Sequence, residues 1–500
     1  MKQFVHGTTY YHYANPAEEY EENFRKMHDM GLTTVRVAEI WPGWEVLEPE
    51  PGRYEFADLD DYVDKAVAAG LNVIMGIGIN NPPFWVFTDI PDVRCVDASG
   101  KISARRVQSA NHDNPVYRAY MERFIDAQVR HYADMPGVVG WQFGNEMRYG
   151  VDIADNECSR ARFREWLRNR YEDDLARLNA EWGVHYRHWE EIYPYQSVAG
   201  APTHGVSTLA IRNREFQNWS LEELFKWGVS LIRRHSDLPV FHNNFGQSSD
   251  NGSHWEFAEA GDIVVQDIYP IMSDDPQVYF TFLLDCGVGI ARSLNKELWI
   301  GETPIGQYGS YQRVRTSQAF METFAIEMLG AGAKGLFYFR HKTPKFEQPH
   351  KFTGSQSALR RDGSAMGYVE TPRHLTKLME EHGDRILACE PVAPNVAIYY
   401  PEESVRFAKD AGYAAIQRDT VFGASSMWNR AQYPTQILNT KWLLREDLST
   451  YSLIYLPVSY LLMPEVGAKL RAYVEQGGVL VSEARPGYVG EDGWLYDEQP

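Results

Sequence analysis

Short β-rich runs alternate with long helical patterns through the first 390 or so residues, and this alternation limits the fold more than any other feature. Strand-like runs cover residues 4–11, 34–40, 72–79, 138–143, 239–243, 263–269, 297–301 and 335–339. Helical patterns lie between them at 17–30, 59–69, 116–135, 160–170, 218–235, 277–294 and 316–329. Gly31, Gly70 and Gly330 stand just past helix ends, where glycine stops a helix. Strands separated by helices imply right-handed βαβ units and a parallel sheet. Eight such units predict an α/β fold of the (β/α)8 TIM-barrel type with long loops, over residues 1–389. A doubly wound sheet is the rival, but no glycine fingerprint follows the first strand.

From residue 390 the pattern changes. Residues 396–400 and 453–456 read as strands, 464–476 as a helix and 479–482 as a further strand. Residues 390–500 are therefore expected to form a second, smaller α/β domain. Glu475-Gln476-Gly477-Gly478 is a helix stop and turn rather than a phosphate loop, because no Lys-Ser or Lys-Thr follows it. The last residues, Asp497-Glu498-Gln499-Pro500, fall inside a loop pattern, which raises the expectation that this domain is truncated.

Composition excludes several functions. With 49 basic and 68 acidic residues the net charge is −19, whereas a nucleic-acid binder needs a basic footprint. No apolar run is long enough to span a membrane, and the first residues lack the apolar core of a signal peptide. A cytoplasmic protein is expected. Cys95, Cys158, Cys286 and Cys389 are too scattered for a zinc cluster or a disulfide framework, and no cofactor or metal is called for. Aromatic residues make up 13% of the chain, which suits either stacking on sugar rings or large aromatic cores. No G-x-S-x-G follows a strand, so a serine hydrolase is disfavoured.

Barrel active sites form from the loops after the strands. Glu39 and Trp41 follow the second strand, Asn80 and Asn81 the third, and Asn145 and Glu146 the fourth. Asn243 and Asn244 follow the fifth, Tyr269 ends the sixth, Glu302 follows the seventh, and Arg340 and His341 follow the eighth. Two glutamates at two strand ends are the equipment for cleaving a glycosidic bond: an acid for the leaving oxygen and a carboxylate to attack the sugar. Taken singly, Glu302 is also readable as a buried structural glutamate and Asn145 as the closer of a turn. Arg36, inside the second strand, either pairs with Glu302 or belongs to a structural ion pair. Glu39 has a supporting role or touches sugar.

Three stretches carry a family resemblance. They are Val35-Arg36-Val37-Ala38-Glu39 with Gly52-Arg53-Tyr54-Glu55-Phe56, then Phe163-Arg164-Glu165-Trp166-Leu167 with Trp182-Gly183, and Glu347-Gln348-Pro349-His350. The chain resembles the family-42 glycoside hydrolases, mostly bacterial β-galactosidases, over nearly its whole length. The resemblance implies a retaining exo-glycosidase with Glu146 as acid/base and Glu302 as nucleophile. It further implies that Asn145, Arg105 or Arg106, Glu347 and His350 bind substrate, and that the second domain builds a trimer; Tyr269 is a further substrate-binding candidate from its place at a strand end. The chain departs from the family at Gly144, where an Asp is usual, at Phe339 in place of a Trp, and at Gly306–Tyr311 in place of an Asn-Trp pair. These changes surround the sugar, so a β-mannosidase or another β-glycosidase stays open, as does a silent carbohydrate-binding barrel.

Overall fold

The computed structural model describes residues 4–40, 43–103, 109–194, 208–249, 251–306, 316–345 and 357–500. All eight expected barrel strands are present: β1 (Val5–Thr9), β2 (Thr34–Val37), β3 (Asn72–Ile77), β4 (Val138–Phe143), a split fifth strand of β5 (Val240–Phe241) and β6 (Asn243–Phe245), β7 (Val264–Asp267), β8 (Leu298–Pro304) and β9 (Gly335–Phe339). They form one parallel sheet in the order β5-β4-β3-β2-β1-β9-β8-β7-β6. The fifth strand closes the barrel by dividing at His242. Its first half pairs with β4, matching Trp141 to Val240, and its second half pairs with β7, matching Asn243 to Val265.

Strand periodicity sets the barrel interior in layers. Ile74, Phe241, Val265, Trp299 and Phe337 form an apolar layer, with Trp299 ring-to-ring at 5.7 Å from Phe241 and 5.9 Å from Phe337. Two residues beyond Phe241, Val265 and Trp299 stand Asn243, Asp267 and Gly301, and Arg36 of β2 reaches the Gly301 carbonyl. The interior thus turns from apolar to polar toward the C-terminal ends of the strands. Gly301 is needed there: a Cβ would lie 2.5 Å from Val265 Cγ1 and 2.6 Å from Asp267 Oδ1.

Helices such as Pro115–Tyr132 and Pro276–Leu294 pack outside the sheet. Asn114 and Asp275 cap these two, their side chains accepting from the first-turn N–H groups. No described helix is long and apolar enough to cross a membrane.

The second domain is a parallel sheet in the order β11-β10-β12-β13, formed by β10 (Val396–Tyr399), β11 (Thr435–Leu438), β12 (Leu453–Leu456) and β13 (Val479–Ser482). Three strands and the helix Pro464–Glu475 lie where the sequence puts them; β11 and the helix Ala414–Arg430 before it were not expected. This unit packs on the barrel helix Pro276–Leu294. Asp285 accepts from Ser425 Oγ at 2.6 Å and Thr435 Oγ1 at 2.9 Å, and Arg292 donates to Gln436 Oε1 at 2.7 Å.

Candidate active site

Glu302 lies on β8 and is 4% exposed. Arg36 of β2 donates to its Oε1, and Tyr269, just past β7, donates to its Oε2 at 2.5 Å. A second Arg36 nitrogen donates to the Gly301 carbonyl at 3.1 Å, and Arg36 Nε faces Glu39 Oε1 at 3.5 Å. Burial alone would lower the Arg36 pKa, but Glu302, Glu39 and Asp267 more than offset this, so the guanidinium stays charged. Glu39 is fully buried behind this pair and accepts from Tyr11 Oη at 2.8 Å. Burial raises its pKa, against the pull of Arg36.

Glu146 follows β4 on a tight turn in which Gly144 and Glu146 both have positive φ, +62° and +42°. Glutamate rarely adopts that conformation, and the surroundings hold it there. The Asn80 amide pairs with the backbone of Asn145, accepting its N–H at 2.9 Å and donating to its carbonyl at 2.7 Å. Glu146 N donates to Asn243 Oδ1 at 3.2 Å, and Met147 N to His242 Nε2 at 3.3 Å. His242 Nδ1 reaches the Phe143 carbonyl at 3.1 Å, which assigns its proton to Nδ1. Burial lowers His242 to about 4, so it remains neutral. Three consecutive N–H groups are therefore fixed by side chains from the segment after β3 and from the split fifth strand.

The two glutamates meet. Glu146, Glu302 and Asp267 each place an oxygen within 4.8 Å of the others. Burial, then the Glu302 charge, raises Glu146 to about 8, against Arg148, Arg36 and a hydrogen bond with Asp267. Arg148 lies 3.9 Å from Glu146 Oε2 and is the more exposed partner. An acid that is still protonated near neutral pH thus sits beside a carboxyl group that accepts two hydrogen bonds.

Of the residues singled out from sequence, Glu146, Glu302, Asn145, Tyr269, Arg36 and Glu39 come together at the C-terminal mouth of the barrel. Arg105, Arg106, Glu347, His350 and Trp41 lie outside the described residues. His341 is fully buried, with Nε2 at 3.0 Å from Asn23 Oδ1. Asp267 and His242 were not foreseen. Asp267 had a signal: it precedes Tyr269 by two residues, and so shares its face of the strand.

Comparison with known proteins gives the family and the fold. A profile of the β-galactosidase family 42 of glycoside hydrolases matches residues 9–373, and one of the β-galactosidase trimerisation domain matches residues 395–500. The β-galactosidase BgaA of Clostridium cellulovorans is 26% identical over 499 residues, covering 96% of this chain and 72% of its own. A β-galactosidase of Thermus thermophilus is 29% identical over 422 residues, covering 77% and 61%. The crystal structure of a Bacillus circulans β-galactosidase superposes with a TM-score of 0.87 at 22% identity, over 99% of this chain and 73% of that one. The chain belongs to glycoside hydrolase family 42, the β-galactosidase family.

Proposed function

We propose that this chain is a retaining exo-β-galactosidase in which Glu302 is the nucleophile and Glu146 the acid/base. The observation that carries this reading is the approach of the two carboxyl groups, with oxygens within 4.8 Å. Retaining glycosidases hold this pair about 5–5.5 Å apart, and inverting ones about 6.5–9.5 Å to admit a water. Glu302 attacks the anomeric carbon while Glu146 gives its proton to the leaving oxygen. Water then releases the sugar, with Glu146 taking the proton back. Once the covalent bond removes the Glu302 charge, the repulsion that raises Glu146 falls away, and Glu146 can act as base.

Arg36 and Tyr269 hold the nucleophile from either side, and Glu39 orients Arg36. Asn145 bonds the sugar next to the reacting carbon, and Arg105, Arg106, Glu347 and His350 supply further hydroxyl contacts. Galactose is preferred over mannose because the relatives with which the chain aligns over most of its length are named β-galactosidases. Residues 1–389 form the catalytic unit, and residues 390–500 assemble a homotrimer.

Hydrolysis of aryl β-galactoside, β-mannoside, β-glucoside, β-fucoside and β-arabinoside tests this reading, with Glu302→Ala and Glu146→Ala alongside. Turnover of the galactoside that both changes abolish supports it. Preference for the mannoside moves the chain to the alternative sugar, and silence from folded protein favours a binding barrel. Light scattering gives the oligomeric state: a mass three times that of the chain supports the trimer, and a monomer refutes it.

A further inference from the structure

We propose that Asp267, beneath the two glutamates, is a neutral carboxylic acid whose proton is donated to Glu146. It positions that residue as the acid and supports its anion between the two halves of the reaction. The inference rests on the two-glutamate reading above.

The backbone brings Asp267 to this place. The register of β7 against β8 shifts between Gln266 and Asp267, so Asp267 lies opposite Glu302 instead of Gly301. A carboxyl group is thereby set beside the nucleophile, fully buried, with an oxygen within 4.8 Å of both Glu302 and Glu146. The bare Gly301 leaves the room it occupies.

The hydrogen bonds around Asp267 suit an acid rather than an anion. Asn243 Nδ2 donates to its Oδ2 at 2.6 Å. Among the described residues none donates to its buried Oδ1. Among the described residues, the charged groups that act on it most are Glu302 from β8, Glu146 from the turn after β4, and Arg36 from β2. The Arg36 hydrogen bonds go to Glu302 and the Gly301 carbonyl, and its Nε faces Glu39. An ionised Asp267 would be a second buried anion against Glu302 with one oxygen receiving no hydrogen bond, an arrangement proteins avoid. A proton on Oδ1 removes both faults. Burial, then Glu302 and Glu146, hold Asp267 well above the usual carboxylate range, in the same direction.

Glu146 is the acceptor within reach, because one of its oxygens lies within 4.8 Å of an oxygen of Asp267 and the two carboxyl groups are hydrogen-bond neighbours. When Glu146 gives its proton to the leaving oxygen, the Asp267 O–H remains bonded to the new carboxylate and shares its charge. When Glu146 later takes a proton from water, the same O–H stays in place. Asp267 begins and ends the cycle protonated and makes no covalent bond.

The test is the pH dependence of kcat/KM for Asp267→Asn and Asp267→Ala on a dinitrophenyl β-galactoside, a good leaving group, and a phenyl β-galactoside, a poor one. An amide reproduces a neutral acid: it accepts from Asn243 and donates to Glu146. Asp267→Asn is expected within about tenfold of the parent on both substrates, with the basic limb in place. Asp267→Ala is expected to lose on the order of 100-fold on the phenyl substrate and far less on the dinitrophenyl one, with the basic limb moved to higher pH. A basic limb that falls by about a pH unit or more in Asp267→Asn means that the native group carried charge, and overturns the proposal. So does an Asp267→Ala variant equal to the parent, or an Asp267→Asn variant as impaired as Asp267→Ala while folded by circular dichroism. If Asp267→Ala does not fold, the Asp267→Asn limb decides alone. Glu146→Ala and Glu302→Ala run in parallel: activity surviving both refutes the two-glutamate reading, whereas loss of both with a shifted Asp267→Asn limb refutes only the role of Asp267.

Discussion

Arg36 and Glu302, 266 residues apart in sequence, form an ion pair across the barrel mouth in which Arg36 is 1% and Glu302 4% exposed. The same guanidinium donates to the carbonyl of Gly301, so it fixes both the side chain of Glu302 and the strand that carries it. Breaking a buried pair leaves the surviving charge without a partner, which costs more than the pair itself contributes.

Arg36→Ala is expected to lower kcat on an aryl β-galactoside at least about 100-fold and to destabilise the fold by about 3–5 kcal/mol. Arg36→Lys keeps the charge but cannot reach both acceptors, and should fall between the two. Steady-state kinetics and thermal unfolding measure both effects.

Glu146 works as an acid only while protonated, and its pKa is raised from 4.5 to about 8. The basic limb of kcat/KM should therefore fall near pH 8, with activity dropping about tenfold per unit above it. The same shift acts on stability. The folded state holds a proton that the unfolded chain has released, so stability declines as pH rises from 4.5 to about 8. Glu146→Gln should then melt at a higher temperature than the parent at pH 8, but not at pH 4, while losing activity most on substrates with poor leaving groups. Equal melting temperatures at pH 8 would contradict the raised pKa.

His242→Ala removes the acceptor of the Met147 N–H and the tie to the Phe143 carbonyl, freeing the turn that carries Glu146. A fall in kcat of about tenfold or more is expected with little change in KM, and a loss of about 1–3 kcal/mol in stability from the unsatisfied N–H. A KM effect alone would place His242 in sugar binding instead.

Gly301→Ala places a methyl 2.5 Å from Val265 Cγ1 and 2.6 Å from Asp267 Oδ1. Overpacking of this kind costs about 1–3 kcal/mol, and here it also pushes Asp267 from its place beside Glu302. Both the melting temperature and kcat should drop, whereas an unchanged kcat would mean that the position of Asp267 is immaterial.

The barrel was legible because each strand is a short apolar run and each helix a long periodic one, and both periods are local. The strand ends were legible for the same reason, which located Glu146, Glu302 and Tyr269, while Arg36 stood out as an arginine inside a strand. Asp267 was only half legible: its spacing from Tyr269 gives its face of the strand, but its place beside Glu302 depends on a register shift between β7 and β8 that no local pattern encodes. His242 was not legible, because it acts from the break that divides the fifth strand between two partners. β11 escaped because Thr435-Gln436-Ile437-Leu438 has little apolar character of its own: Gln436 is buried by bonding the Gly289 carbonyl and Arg292 of the barrel.

The most direct test of the double displacement is to trap the intermediate. The protein is incubated with dinitrophenyl 2-deoxy-2-fluoro-β-galactoside, which forms the glycosyl–enzyme faster than water releases it, and the labelled peptide is sequenced by mass spectrometry. Stoichiometric labelling of Glu302, absent in Glu302→Ala, is the predicted result. Label on another residue, or turnover with inverted anomeric configuration and no label, would contradict it.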